Sequence, residues 1–190
     1  MKTGYRLATL SLCFLLLTLA ACAPNNYVRL QYTSELSPAH IQPNAPSVTV
    51  VEFADERSKK DIGVRNDQTP FIPVSSVSAW MSDALREELS RKGLNTHYVK
   101  SADEVTPGEH VVTGTVKKVW LKQNTMTAYS VSIEAAIAVD GGLPVTYRSE
   151  QERQDVPTDG VTEEHLSETL RTMLNGAVED ILSKIYNTAN

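Results

Sequence analysis

From Ser76 to Lys92 the apolar residues Val77, Trp80, Met81, Ala84, Leu85 and Leu89 recur three and four apart. That spacing gathers them on one stripe of a helix. Ser75 or Ser76 can cap its start, and Gly93 stands where a left-handed residue closes a helix. A second stripe, Leu166, Leu170, Met173, Leu174, Ala177, Ile181 and Ile185, predicts a helix from about Thr162 to Tyr186. Glu163 and Glu164 in its first turn complement the helix dipole. Elsewhere the period is two. Tyr129, Val131, Ile133, Ala135, Ile137 and Val139 alternate with polar neighbours, which predicts a half-buried strand. Asp140-Gly141-Gly142 supplies a hairpin turn, and Val145–Val156 the returning strand, whose many charges place it at an edge or exposed face. His110–Lys122 alternates more loosely, Ser47–Phe53 is rich in β-branched residues, and Asn95–Val99 is a short strand. The order β-α-β-β-β-β-α, with one apolar face per helix, predicts an α+β two-layer sandwich. Two helices would lie on one face of a mainly antiparallel sheet of about five strands.

The N-terminal pattern is different. Lys2 and Arg6 precede an apolar run from Leu7 to Ala21. The run is about 15 residues long, short of the roughly 20 that a membrane-spanning helix needs, and reads as the core of a signal peptide. It ends in Leu19-Ala20-Ala21-Cys22, which resembles the lipobox of bacterial lipoproteins. Small residues let the peptide enter a protease cleft, and the thiol is the group that receives lipid. The resemblance implies cleavage between Ala21 and Cys22, with S-linked diacylglycerol and an N-linked acyl chain, such as palmitate, on Cys22. Cys13 would leave with the leader, so the mature chain would hold no free thiol and no disulfide. Two or more acyl chains, at about 0.8 kcal/mol per buried methylene, anchor firmly. Ala23, where an Asp would signal retention in the inner membrane, implies the periplasmic face of the outer membrane. Residues 22–46 carry Pro24, Pro38, Pro43 and Pro46 and predict an extended tether, with Tyr27–Leu30 as a possible short strand. The expected organisation is a leader over 1–21, a lipidated tether over 22–46 and one α/β domain over 47–190.

The order of features resembles the YajG-like family of bacterial outer-membrane lipoproteins. The resemblance rests on the lipobox, the Pro-rich stretch and Ala54-Asp55-Glu56-Arg57 followed by Ile62-Gly63. Leu85-Arg86-Glu87-Glu88-Leu89 before Lys92-Gly93-Leu94, the strand Tyr129-Ser130-Val131-Ser132-Ile133, and Tyr147-Arg148 complete it. It spans roughly residues 47–186 and implies a compact domain on the outer membrane, not a reaction.

Composition narrows the function classes. The 190 residues carry a formal charge of −5 and no basic run, which argues against nucleic acid, where clustered cations must neutralise phosphates. Two cysteines cannot form a zinc cage or a disulfide framework. His40, His97, His110 and His165 show no metal-ligand spacing, and there is no nucleophile elbow, phosphate loop or dinucleotide fingerprint. No cofactor is expected, and no enzymatic activity. The glutamates at 87, 88, 163 and 164 read as solvated helix faces.

Asp55–Pro73 is the stretch that does not read as routine scaffold. At about 19 residues it is longer than most loops of compact domains. Either an Asp55–Arg57 contact shapes the exit from the first strand, with Phe71 and Ile72 tucked on the helix start, or the stretch is a docking surface. In the second case Asp55, Arg57, Ile62 and Phe71 would meet an envelope partner. The functional expectation is a lipid-anchored, non-enzymatic binding or assembly module for another envelope component. The alternative is an auxiliary lipoprotein of an ABC-type envelope lipid transport system, with the Val77–Trp80–Met81 end of the first helix lining an apolar groove.

Overall fold

The computed structural model describes residues 26–34, 44–154 and 161–188. The leader, Ala21, Cys22 and most of the proline-rich stretch lie outside them. Nine strands and two α-helices occur among the described residues. They are β1 Tyr27–Val28, β2 Ser47–Val51, β3 Ala54–Asp55, β4 Gly63–Val64, β5 Pro70–Pro73, α1 Val77–Arg91 and β6 Asn95–Val99, then a 3-10 turn at Ala102–Glu104. β7 His110–Gln123, β8 Tyr129–Val139, β9 Val145–Arg153 and α2 Val161–Thr188 follow. The longer elements keep the predicted order. Ser76 caps α1 by accepting from the Ala79 N–H at 3.2 Å, and Gly93 follows its end at φ +90°.

β7 is the spine of the sheet. On one side it pairs antiparallel with β8, and β8 with β9. On the other side β2, β3 and β4 lie along it in succession, each parallel to it. β6 adds parallel to β2, β5 antiparallel to β4, and β1 parallel to β5. The result is a curled, mixed, many-stranded sheet rather than the two-layer sandwich with about five mainly antiparallel strands that the pattern predicts. The physical reason is the β2–α1–β6 crossover. A helical connection returns the chain in its original direction, which makes the pair parallel. Hydrophobic alternation carries no information about direction, and strands two residues long have too few positions to show a period.

Both helices place their stripes on the sheet, α1 over β2, β6 and β7, and α2 over β8 and β9. Met81, Leu85 and Leu89 from α1 and Leu166, Leu170 and Leu174 from α2 are fully buried against Val112, Val116, Leu121, Val131 and Ile133. Each such side chain contributes about 1.5–3 kcal/mol. Gly114 on β7 makes room for Phe53, because a Cβ there would sit 2.6 Å from the Phe53 ring. Gly63, at φ +152°, lets β4 press on β7, and a Cβ there would fall 1.7 Å from the Leu121 carbonyl oxygen.

Residues 26–34, expected to belong to the tether, are instead a strap fastened to the domain. Ile72 N–H donates to the Asn26 carbonyl at 2.9 Å and Val74 N–H to the Val28 carbonyl at 3.0 Å. Val28 and Leu30 enter the core at 3% and 8% exposure. Further along, Tyr32 donates its hydroxyl to Glu88 of α1 at 2.5 Å, and Thr33 N–H donates to Ser167 Oγ of α2 at 3.0 Å. Alternating burial of Val28 and Leu30 is the force that brings the strap down. The tether that the prolines predict therefore does not extend over these nine residues.

Candidate functional site: the cleft beside the central strand

The stretch after β2 tracks β7 closely except at one place. Asp55 pairs with Val116 and Gly63 with Leu121, so eight residue steps on one strand oppose five on the other. The surplus chain, residues 56–61, loops out before the Ile62 carbonyl accepts from the Leu121 N–H at 2.6 Å. Directly opposite, β7 itself is irregular, with a register shift between Val116 and Lys118. A bulge of this kind re-aims side chains. It leaves Lys117 and Lys118 exposed in succession, while Val116 and Val119 on either side stay in the core.

Loop and bulge together bound a cleft of about 470 Å³. Arg57 forms its floor, with a side chain only 7% exposed. Its guanidinium donates from Nε and Nη2 to the two carboxylate oxygens of Asp55, both at 2.8 Å. This fork-to-fork geometry is the strong form of the pair. The hydrogen bonds from Arg57 hold the Asp55 carboxyl below the usual range, so it stays ionised and fixes the loop's exit. Lys59 places its ammonium 5.1 Å from the centroid of Trp120, within cation–π range. Lys117 pairs with Glu56 at 2.5 Å. Lys118 also lines the cleft, and among the described residues it has no ion-pair partner. Asp61 and Glu134 are the acids in the wall. With Arg57 and Lys117 paired, the opening presents the ammonium groups of Lys59 and Lys118, faced by the carboxylates of Asp61 and Glu134, beside an aromatic side.

Of the residues singled out in the sequence, Asp55 and Arg57 meet, and they shape the loop. Ile62 and Phe71 do not reach this surface. They are 0% and 2% exposed, buried in the core where β4 and β5 close the sheet, so no partner can touch their side chains in this fold. Lys59, Lys118 and Trp120 were missed. The available signal was the alternation of β7, in which Lys118, Trp120 and Lys122 share the face opposite Val119 and Leu121, preceded by a break at Lys117-Lys118.

Other chemistry is accounted for locally. His110 Nδ1 lies 2.8 Å from Asp140, which also accepts from the Val111 N–H at 2.8 Å. The pair staples the β8–β9 turn to the start of β7. His97 stands 3.9 Å from Glu109. His165 is buried, and both of its ring nitrogens lack a partner among the described residues. Burial, aided by Arg153, pushes it down to about 4. No group of His, Cys, Asp and Glu able to hold a metal ion occurs among the described residues. Glu88 is not on a solvated face. It is buried, pairs with Arg91 at 2.8 Å and accepts from Tyr32, whose phenol burial and this carboxylate push far above its ordinary range. Val77, Trp80 and Met81 are 3%, 7% and 0% exposed, and the depression of about 550 Å³ that borders Trp80 carries Gln31, Thr33, Asp83 and Glu87 in its wall, so it is not the apolar groove expected there. No described helix is long and apolar enough to cross a membrane.

No family model matches the chain, and no curated protein does. Solved structures do. The chain is similar to the protein XCC0632 from Xanthomonas campestris, of the family described as DUF330, with a TM-score of 0.58 at 10% identity over 86% of this chain and 99% of that one. This likeness is one of fold. Looser similarities, carrying no further argument, include the PelC dodecamer from Paraburkholderia phytofirmans (TM-score 0.41, 13% identity, 73% and 89% of the two chains). Lipoprotein GNA1162 from Neisseria meningitidis is another (TM-score 0.37, 14% identity, 75% of this chain and 99% of that one).

Proposed function

We infer that this is a lipid-anchored, non-enzymatic lipoprotein of the bacterial outer membrane whose domain docks an acidic segment of another envelope protein. The observation that carries the docking reading is the cleft between residues 56–61 and the β7 bulge. A surplus loop, a bulge and a row of lysines beside a tryptophan are more than scaffolding requires. The carboxylates of Asp55 and Glu56 hold Arg57 and Lys117 in place, which leaves Lys59 and Lys118 as the charges a ligand would meet. Trp120 supplies a flat apolar wall, and aromatic and cationic side chains are the usual anchors of a binding surface. The lipobox supports the address. A domain confined to a membrane shell meets its partner at raised effective concentration, so a small cleft suffices.

The test is photo-crosslinking in living cells from position 118 and, separately, from position 143 on the β8–β9 turn. A discrete protein adduct from 118 that is absent from 143, and lost when Lys59→Glu is added, is the expected result. Phospholipid adducts at 118 would overturn this reading in favour of lipid transport. Equal adducts at both positions would remove the cleft's special status.

A further inference from the structure

We propose that the edge formed by Tyr27, Arg29 and Val74 rests on the lipid headgroups, so that the domain lies against the membrane in a fixed orientation instead of standing off it. This builds on the reading of Cys22 as the lipidated residue. Four residue steps separate Cys22 from Asn26, where the strap is already hydrogen-bonded to β5. A fully extended chain advances at most about 3.6 Å per residue, which limits the leash to roughly 14 Å. The headgroup region of one leaflet is itself roughly 5–7 Å deep. Little slack is left, and the strand that follows the leash must lie at the membrane surface.

The side chains at that place suit it. Tyr27 and Val74 are 59% and 57% exposed, two of the few large hydrophobic residues so exposed among those described. They stand together with Arg29 and Glu163 around a shallow depression at the sheet's β1 edge. A tyrosine sits readily at headgroup level, with its ring toward the acyl chains and its hydroxyl in the interface. Arg29 can meet a phosphate, and Val74 adds apolar area. The patch is too small to hold the protein on a membrane alone. Holding falls to the acyl chains, and the patch decides which way the domain faces. Leu143, 87% exposed, lies at the other end of β7, beside the Asp140 turn, roughly 30 Å away along the strands.

The test uses full-length protein, processed and lipidated in cells and reconstituted into vesicles of phosphatidylethanolamine and phosphatidylglycerol. Single cysteines, Val74→Cys or Leu143→Cys, carry an environment-sensitive fluorophore, and lipids spin-labelled near the headgroup act as quenchers. At least threefold stronger quenching at position 74 than at 143 is expected. Equal quenching at the two positions, or stronger quenching at 143, on protein whose intact mass shows acylated Cys22 would overturn the orientation and leave the anchor standing. A mass without acyl chains would overturn both.

Discussion

His165 shows how a single buried side chain couples this fold to pH. Its ring sits in the core with neither nitrogen bonded among the described residues, so it folds neutral. The unfolded chain takes up a proton near pH 6.5, whereas the folded one resists until about pH 4. The unfolded state therefore binds more protons between these values, and stability falls as pH drops from 6.5 to 4. A shift of this size corresponds to a total loss of about 3 kcal/mol. Urea midpoints measured from pH 7 to pH 4 should show the decline, and His165→Leu should flatten it. An unchanged slope in the variant would mean that carboxylates alone account for the acid sensitivity. The sequence could not reveal this environment. His165 lies about 100° round the helix from Leu166, off the apolar stripe, and a polar first-turn residue in that position reads as facing water.

At the scale of elements, the long ones were legible and the short ones were not. α1, α2 and β8 declare themselves because each repeats its period over several turns or pairs. Three other features did not. β3 and β4 are two-residue strands, and parallel pairing leaves no mark on alternation. The strap was hidden by the prolines that flank it, Pro24 and Pro38, which argued for free chain, although Val28 and Leu30 carried the alternation that fastens it. The same limit shaped the candidate site. Ile62 and Phe71 looked like exposed apolar residues in a loop because β4 and β5 were too short to read, whereas Lys118 and Trp120 sat in a strand. The strap gives a direct prediction. Leu30→Ala should lower stability by about 2–4 kcal/mol, the range for removing a buried leucine side chain, read as a shift of the urea midpoint in protein lacking the leader and Cys22. A free tether would leave the midpoint unmoved.

For the whole molecule, the strap is what would tie the proposed address to the proposed recognition. It runs along the β1 edge to both helices, so on the proposed lipidation of Cys22 the body would be fastened to its own anchor. The cleft beside β7 faces away from the helices, on the open side of the sheet where Lys118 and Trp120 point. A domain oriented by its strap would present that side to the periplasm in a constant direction. The proposed acylation of Cys22 is the premise of this arrangement, and the intact mass of protein extracted from cell envelopes tests it most directly. The expected species begins at Cys22, carries diacylglycerol and an amide-linked acyl chain, and shows no titratable thiol. A chain that retains residues 1–21, or that carries a free thiol at Cys22, would contradict it.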